Sequence, residues 1–307
     1  MGRASETAER LAALKREIAA IEGRPVPLAW TESSGGAAGR GAPRAAEALG
    51  EVLAFGVEAI DRRLGGGGLM LGALHEIACD ESREAGAVTG FAAALTARLL
   101  ARRAGRVLWI GTAEARREAG RLDGPGLAAL GLDPGRVVEV EVENATEALW
   151  AFEEGLACRG TAAVVAEIPG RPAVLDLTAT RRLALRAGGG GGGEGERGDG
   201  GRALGLLLRV AGPAQTTAAA TRWRVSAATS RLLGGFAPGL GNPAFRLELE
   251  KNRDGRLGSF EVEWSSHDRC FALLPAHPGA VPAETSDRPA APAGEGRVLA
   301  FERPSHR

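Results

Sequence analysis

The chain has 307 residues, 38 basic and 38 acidic, so its formal net charge is zero. That balance gives no uniformly basic surface of the kind that binds nucleic acid by charge alone. The length allows one large α/β core with tails.

Residues 6–22 carry Leu11, Leu14, Ile18 and Ile21 at helical spacing, which predicts an amphipathic helix with one apolar stripe. Glu9, Arg10, Lys15, Arg16 and Glu17 fill its other faces, and Gly23 and Pro25 stop it. The N-terminal segment 1–23 is therefore read as a helix, and 24–50, rich in Gly, Ser and Ala, as a flexible linker. It shows no apolar signal-peptide core, and no run along the chain is long enough to span a bilayer. Cys79, Cys158 and Cys270 are scattered, without metal-ligand spacing, which fits a reducing cytoplasm.

Order is expected from Glu51. Residues 74–78 (LHEIA), 106–111 (RVLWIG), 137–142 and 162–168 (AAVVAEI) read as buried strands. Helical patterns lie between them at 89–103, 145–158 and 178–187, with 112–131 left as loop or helix. This alternation predicts a mainly parallel sheet flanked by helices. Residues 188–201 (GGGGGGEGERGDGG) are low complexity and expected to be a disordered insertion before a strand at 204–210. Strands follow at 221–227, 244–251 and 258–264, the last two joined by NRDGR as an antiparallel hairpin. The core is thus expected over 51–274, and 275–307 is read as a flexible Pro- and Ala-rich tail. Within that tail, Leu299 and Phe301 form a small apolar island and a candidate partner contact.

The order of these segments carries a resemblance. Residues 55–77 (FGVEAIDRRLGGGGLMLGALHEI) are similar to the start of the RecA core, where such a strand leads into a phosphate-binding loop, G-x-x-x-x-G-K-[ST]. Here the following stretch, 78–90 (ACDESREAGAVTG), has no Gly-Lys-Ser/Thr, and Lys15 and Lys251 are the two lysines of the chain. Arg83 is no equivalent of a loop lysine, and Asp80, Glu81 and Glu84 place carboxylates where phosphates would sit. In the strand that would hold a magnesium-binding Asp, Ala166 takes its position; Glu167, one residue on, is expected to face the other side of the sheet. Together with LDPGRV at 132–137, ATRRL at 179–183, ATRWRV at 220–225 and the closing hairpin, the chain resembles the inducible mutagenesis protein A (ImuA) family, related to RecA and SulA, over about residues 51–265.

The resemblance implies a RecA-like fold with a degenerate P-loop, no cofactor and no chemistry of its own. It implies an accessory role in damage-induced, error-prone translesion DNA synthesis. Its partners would be an ImuB-type polymerase-like subunit and RecA, with an error-prone DNA polymerase engaged indirectly and no membrane. Leu11, Leu14, Ile18 and Ile21 are then candidate docking residues. Residues 215–223 fall where RecA has a DNA-binding loop, so Arg222, Trp223 and Arg224 are candidate contacts to single-stranded DNA. The competing functions are a divergent RecA-like ATPase, a single-strand DNA binder and a SulA-like division inhibitor.

Overall fold

The structure, a computed structural model, describes residues 51–189, 202–212, 215–230, 241–253 and 255–274. The N-terminal stripe, the linker, Leu299, Phe301 and residues 190–201 of the Gly-rich insertion lie outside the described residues.

The described chain opens with β1 (Val52–Leu53), α1 (Glu58–Asp61) and β2 (Leu69–Met70). β1 and β2 pair antiparallel as a small separate sheet. The glycine run at 65–68 makes the turn between them. Gly68 is needed for that approach, because a Cβ there would stand 2.6 Å from the Leu53 carbonyl carbon.

The main body follows as β3 (Leu74–Ala78), α2 (Ala85–Leu100), β4 (Arg106–Thr112), α3 (Ala113–Ala119), α4 (Gly124–Ala129), β5 (Val137–Val142), α5 (Ala145–Ala157), β6 (Thr161–Glu167), α6 (Leu177–Ala187), β7 (Leu204–Arg209) and β8 (Thr221–Ala227). Three strands complete it: β9 (Ala244–Asn252), β10 (Gly258–Ser265) and β11 (Cys270–Leu273). They form one nine-stranded sheet in the order β11-β10-β9-β8-β3-β7-β6-β4-β5. Strands β5 to β8 along that order pair parallel, and β8-β9, β9-β10 and β10-β11 pair antiparallel. The expected α/β architecture, mainly parallel with an antiparallel C-terminal hairpin, is the one observed.

Each face of the sheet has its own core. On one face α2 buries Val88, Phe91 and Leu95 against Val107, Trp109, Val165, Leu206 and Leu208. Phe55, Phe91, Phe245, Phe271, Trp223 and Trp264 continue that layer over the antiparallel strands, with ring centroids 4.7 to 6.2 Å apart. On the other face α5 and α6 bury Leu149, Phe152, Leu156 and Leu183 against Leu74, Ile110, Val164 and Leu207.

Two differences from the sequence expectation matter. Helix α2 begins at Ala85, four residues before the expected Thr89, directly after a 3-10 turn at Ser82–Glu84. Its first turn is Ala and Gly, so the apolar period starts later than the helix does. Strand β11 was not expected; it adds to β10 through a four-residue turn in which Arg269 takes φ 50°.

Candidate functional site

In an open parallel sheet, ligands bind beside the loops that leave the C-terminal ends of the strands. Four of those loops are informative here.

The loop after β3, residues 79–84, is closed by its own side chains. Arg224 on β8 pairs with Asp80 in this loop and with Glu250 on β9. Arg83 turns back on Glu81, Nε to Oε2 2.8 Å, and stays exposed. Cys79 is buried; burial pushes its thiol up from the usual value, and its Sγ lies 3.4 Å from the Glu81 carbonyl oxygen. Lys251 is on β9, where its ammonium donates to the Thr217 carbonyl oxygen. The backbone approach to α2 therefore meets a carboxylate already neutralised by an arginine, without a lysine.

Glu167 at the end of β6 faces the side of the sheet opposite to Ala166, as strand alternation required, and that is the side on which α2 packs. Thr89 Oγ1 on α2 and Trp109 Nε1 on β4 both donate to Glu167 Oε1, at 3.2 and 3.0 Å. Burial raises its pKa above the usual carboxylate value, opposed by those two donors and by Arg116. The void beside it, lined by Ala85, Thr89, Ala115 and Pro169, measures about 10 Å³. That is room for one water at most. The two donors saturate one carboxylate oxygen, so Glu167 acts here as a packed structural acceptor.

The third element is a charge cluster that sequence reasoning missed. Glu76, in the centre of β3, is 2 % exposed. Thr217 Oγ1 and Arg222 Nε donate to its Oε2 at 2.7 and 3.0 Å, and Arg209 Nη1 stands 3.8 Å from Oε1. Arg209, 3 % exposed, also donates to the Gly170 carbonyl oxygen at 2.6 Å. One carboxylate thus holds two arginines from the neighbouring strands β7 and β8. A Glu in the LHEIA strand and an Arg directly after LLL at 206–208 were the available signals, but nothing local paired them.

This cluster revises the DNA-contact residues. Trp223 is fully buried in the aromatic layer, and its Nε1 donates to Thr221 Oγ1 at 3.0 Å. It therefore offers no face on which a base can stack. Arg222 and Arg224 do share a face, opposite to Trp223, because alternate strand residues point to opposite sides. There Arg222 is engaged by Glu76 and Arg224 by Asp80 and Glu250.

The fourth feature is an open cleft of about 530 Å³ where β4, β5 and β6 end. Thr112, Glu114 and Arg117 line one wall; Glu143, Asn144 and Thr146 another; Pro169 to Val174 the third. It lies where the β4 connection and the β5 and β6 connections leave to opposite faces. Its lining mixes two arginines with two carboxylates, which gives no net preference for an anion or a cation. Among the described residues no group of three His, Cys, Asp or Glu side chains is placed to hold a metal ion, and no helix is long and apolar enough to cross a membrane.

No protein-family model matches the chain. Curated relatives do. Over 220 residues the chain is 38 % identical to Protein ImuA of Caulobacter vibrioides strain NA1000 / CB15N, covering 69 % of this chain and 83 % of that protein. The same figures hold for Protein ImuA of Caulobacter vibrioides strain ATCC 19089 / CIP 103742 / CB 15. That identity, sustained over most of both chains and on the α/β scaffold described above, shows that this chain belongs to the ImuA family.

Proposed function

We propose that the chain is a non-catalytic accessory protein of damage-inducible mutagenesis, acting in the cytoplasm during error-prone translesion DNA synthesis. It works through contacts with a polymerase-like subunit of the ImuB type and with RecA, and it engages the error-prone polymerase through them. On this reading the scaffold is RecA-like and its phosphate-binding loop is degenerate.

One observation carries the reading. The loop that would hold a triphosphate is tied shut by Asp80 to Arg224, and Arg224 is tied in turn to Glu250. A phosphate arriving there meets Asp80, Glu81 and Glu84. What supports the accessory role is membership of the ImuA family together with this closed site.

The test is co-purification of the full chain with RecA and with the polymerase-like subunit. Retention of either is the expected outcome. Micromolar binding of magnesium ATP, with neither protein retained, overturns the proposal in favour of the divergent ATPase.

A further inference from the structure

The turns that enter the parallel strands hold a row of arginines. Strands β7, β6, β4 and β5 lie side by side in that order and run parallel, so their first residues share one edge of the sheet. The register keeps that edge level: Arg106 stands opposite Thr161, Val107 opposite Val137, and Ala163 opposite Leu204. Every turn feeding it carries arginine. Arg202 precedes β7, Arg159 precedes β6, Arg102 and Arg103 precede β4, Arg106 opens β4, and Arg136 precedes β5. Neighbouring strands are about 4.8 Å apart, so the row spans about 15 Å.

Carboxylates are scarce beside this row. Among the described residues of the four turns the one acid is Asp133, which accepts from Gly135 N at 2.9 Å. Glu51 comes up to Arg103, with Nη1 to Oε2 3.8 Å. The guanidinium groups turn instead to neutral carbonyl oxygens. Arg103 Nη1 donates to Arg202 at 2.9 Å, and Arg106 Nη1 to Gly135 at 3.3 Å. Arg136 donates to Leu100, Arg103 and Gly105 at 2.7 to 3.0 Å, which closes the end of α2. A carbonyl satisfies a donor without cancelling its charge. Arg102, Arg106 and Arg202 remain exposed. Asp80, Glu81 and Glu84 sit at the opposite edge, after β3, so a chain of zero net charge still has one basic edge.

The chemistry of the edge selects its partner. A protein partner is held at the centre of its contact by apolar and aromatic anchors. The described residues of these turns expose no large apolar side chain. Single-stranded DNA needs rings on which its bases stack, and these turns offer none. A duplex backbone asks only for cations and donors, and the arginine fork suits phosphate oxygens. Along one strand of a duplex the phosphates follow at about 3.4 Å of helix axis, so a row of this length faces about four of them.

We infer that this edge binds the phosphate backbone of duplex DNA, with Arg102, Arg106 and Arg202 as the phosphate contacts. Binding of this kind is blind to base sequence, because backbone contacts carry none. Arg103 and Arg136 add to the local field while they hold the turns in place. The inference is independent of the accessory reading: it concerns charge at the edge where the strands begin, and its test involves neither RecA nor a polymerase-like subunit.

Fluorescence anisotropy of a short labelled duplex, titrated with the full chain, tests it. At about 50 mM salt the expected Kd is on the order of micromolar, and log K is expected to fall against log salt with a slope of about −2.7, for three phosphates. Arg102→Gln, Arg106→Gln and Arg202→Gln together are expected to weaken binding at least tenfold and to bring the slope near zero. A thermal melt checks that this variant is folded. Arg83→Gln, Arg121→Gln and Arg246→Gln remove the same charge from exposed arginines elsewhere, and are expected to change Kd by less than about twofold. Three results overturn the inference: no binding at low salt, equal losses in the two triple variants, or a folded edge variant that binds as the parent does. Tighter capture of a polyglutamate peptide than of the duplex also overturns it, in favour of an acidic polypeptide.

Discussion

His75 and Glu76 are neighbours on β3 and face opposite sides of the sheet, and each anchors a buried polar chain. On one side the Thr221 hydroxyl takes a hydrogen bond from Trp223 Nε1 and donates its own proton to His75 Nδ1, at 2.8 Å. His75 Nε2 lies 2.9 Å from the Met70 carbonyl oxygen, which can only accept. Donor counting therefore fixes a neutral imidazole protonated at Nε2. Burial lowers its pKa from 6.5 to about 4. Between those values the unfolded chain takes up a proton that the fold refuses, so stability is complete above pH 6.5 and declines as the pH falls towards 4. The loss is on the order of 3 kcal/mol by pH 4. Denaturant unfolding from pH 7 to pH 4 is expected to show this decline, and His75→Gln to flatten it. Glu76 has the opposite character, since it is a charge that must stay. Its replacement in Glu76→Gln leaves Arg209 and Arg222 without their counter-charge in the interior. The expected cost is about 3–5 kcal/mol, read as a lower denaturant midpoint at neutral pH. Glu167 is raised in pKa, so its stability is highest below the usual carboxylate range and falls as the pH rises through the raised value. Glu167→Gln keeps the acceptor for Thr89 and Trp109, and is expected to raise the denaturant midpoint at pH 7 and to have a smaller effect at pH 4.

At the level of elements, α5 shows how tightly the second layer sits. A Cβ on Gly155 would meet Leu108 Cδ2 at 2.6 Å and Val164 Cγ2 at 3.1 Å. Gly155→Ala is therefore expected to push α5 off β4 and β6 and to cost about 1–3 kcal/mol, measurable as a drop in Tm. The start of α5 is well specified, with Asn144 capping Glu147 N and the Glu147 carboxylate accepting from Glu143 N. This is why α5 was readable to within a residue. Strands β5 (VVEVEV) and β8 (TRWRVSA) were legible for a different reason, the alternation of apolar and polar residues along each. Helix α2 was misplaced at its start because no capping side chain marks it. Strand β11 was invisible, being four residues whose partner is supplied by β10 alone. The site was less legible than the fold. The missing lysine is a fact of composition and could be seen. Glu76 and Arg209 could not be joined, since 133 residues separate them (209 minus 76) and only the parallel pairing of β3 with β7 brings them together. The facing of Glu167 away from Ala166 and of Trp223 away from Arg222 and Arg224 follows strand alternation and was legible; which side carries α2 was settled by packing.

For the molecule as a whole, the accessory role proposed above implies that the loop after β3, which carries no lysine, does not hold a triphosphate. A ligand held with a Kd of about 10 μM and supplied at 1 mM stabilises a fold by about 2.7 kcal/mol, enough to move Tm by several degrees. Magnesium ATP at that concentration is expected to leave the Tm unchanged, checked by a thermal melt with and without nucleotide. The closed loop also bears on any attempt to build a phosphate site into this scaffold. Grafting Gly-Lys-Thr into residues 79–90 would supply a cation but leave Asp80 clasped by Arg224, and Arg224 by Glu250. Removing Asp80 alone would send Arg224 wholly to Glu250, and removing Arg224 would strand two carboxylates. A phosphate cradle would thus take several coordinated exchanges, across strands β8 and β9 and the loop after β3, and no single substitution supplies it.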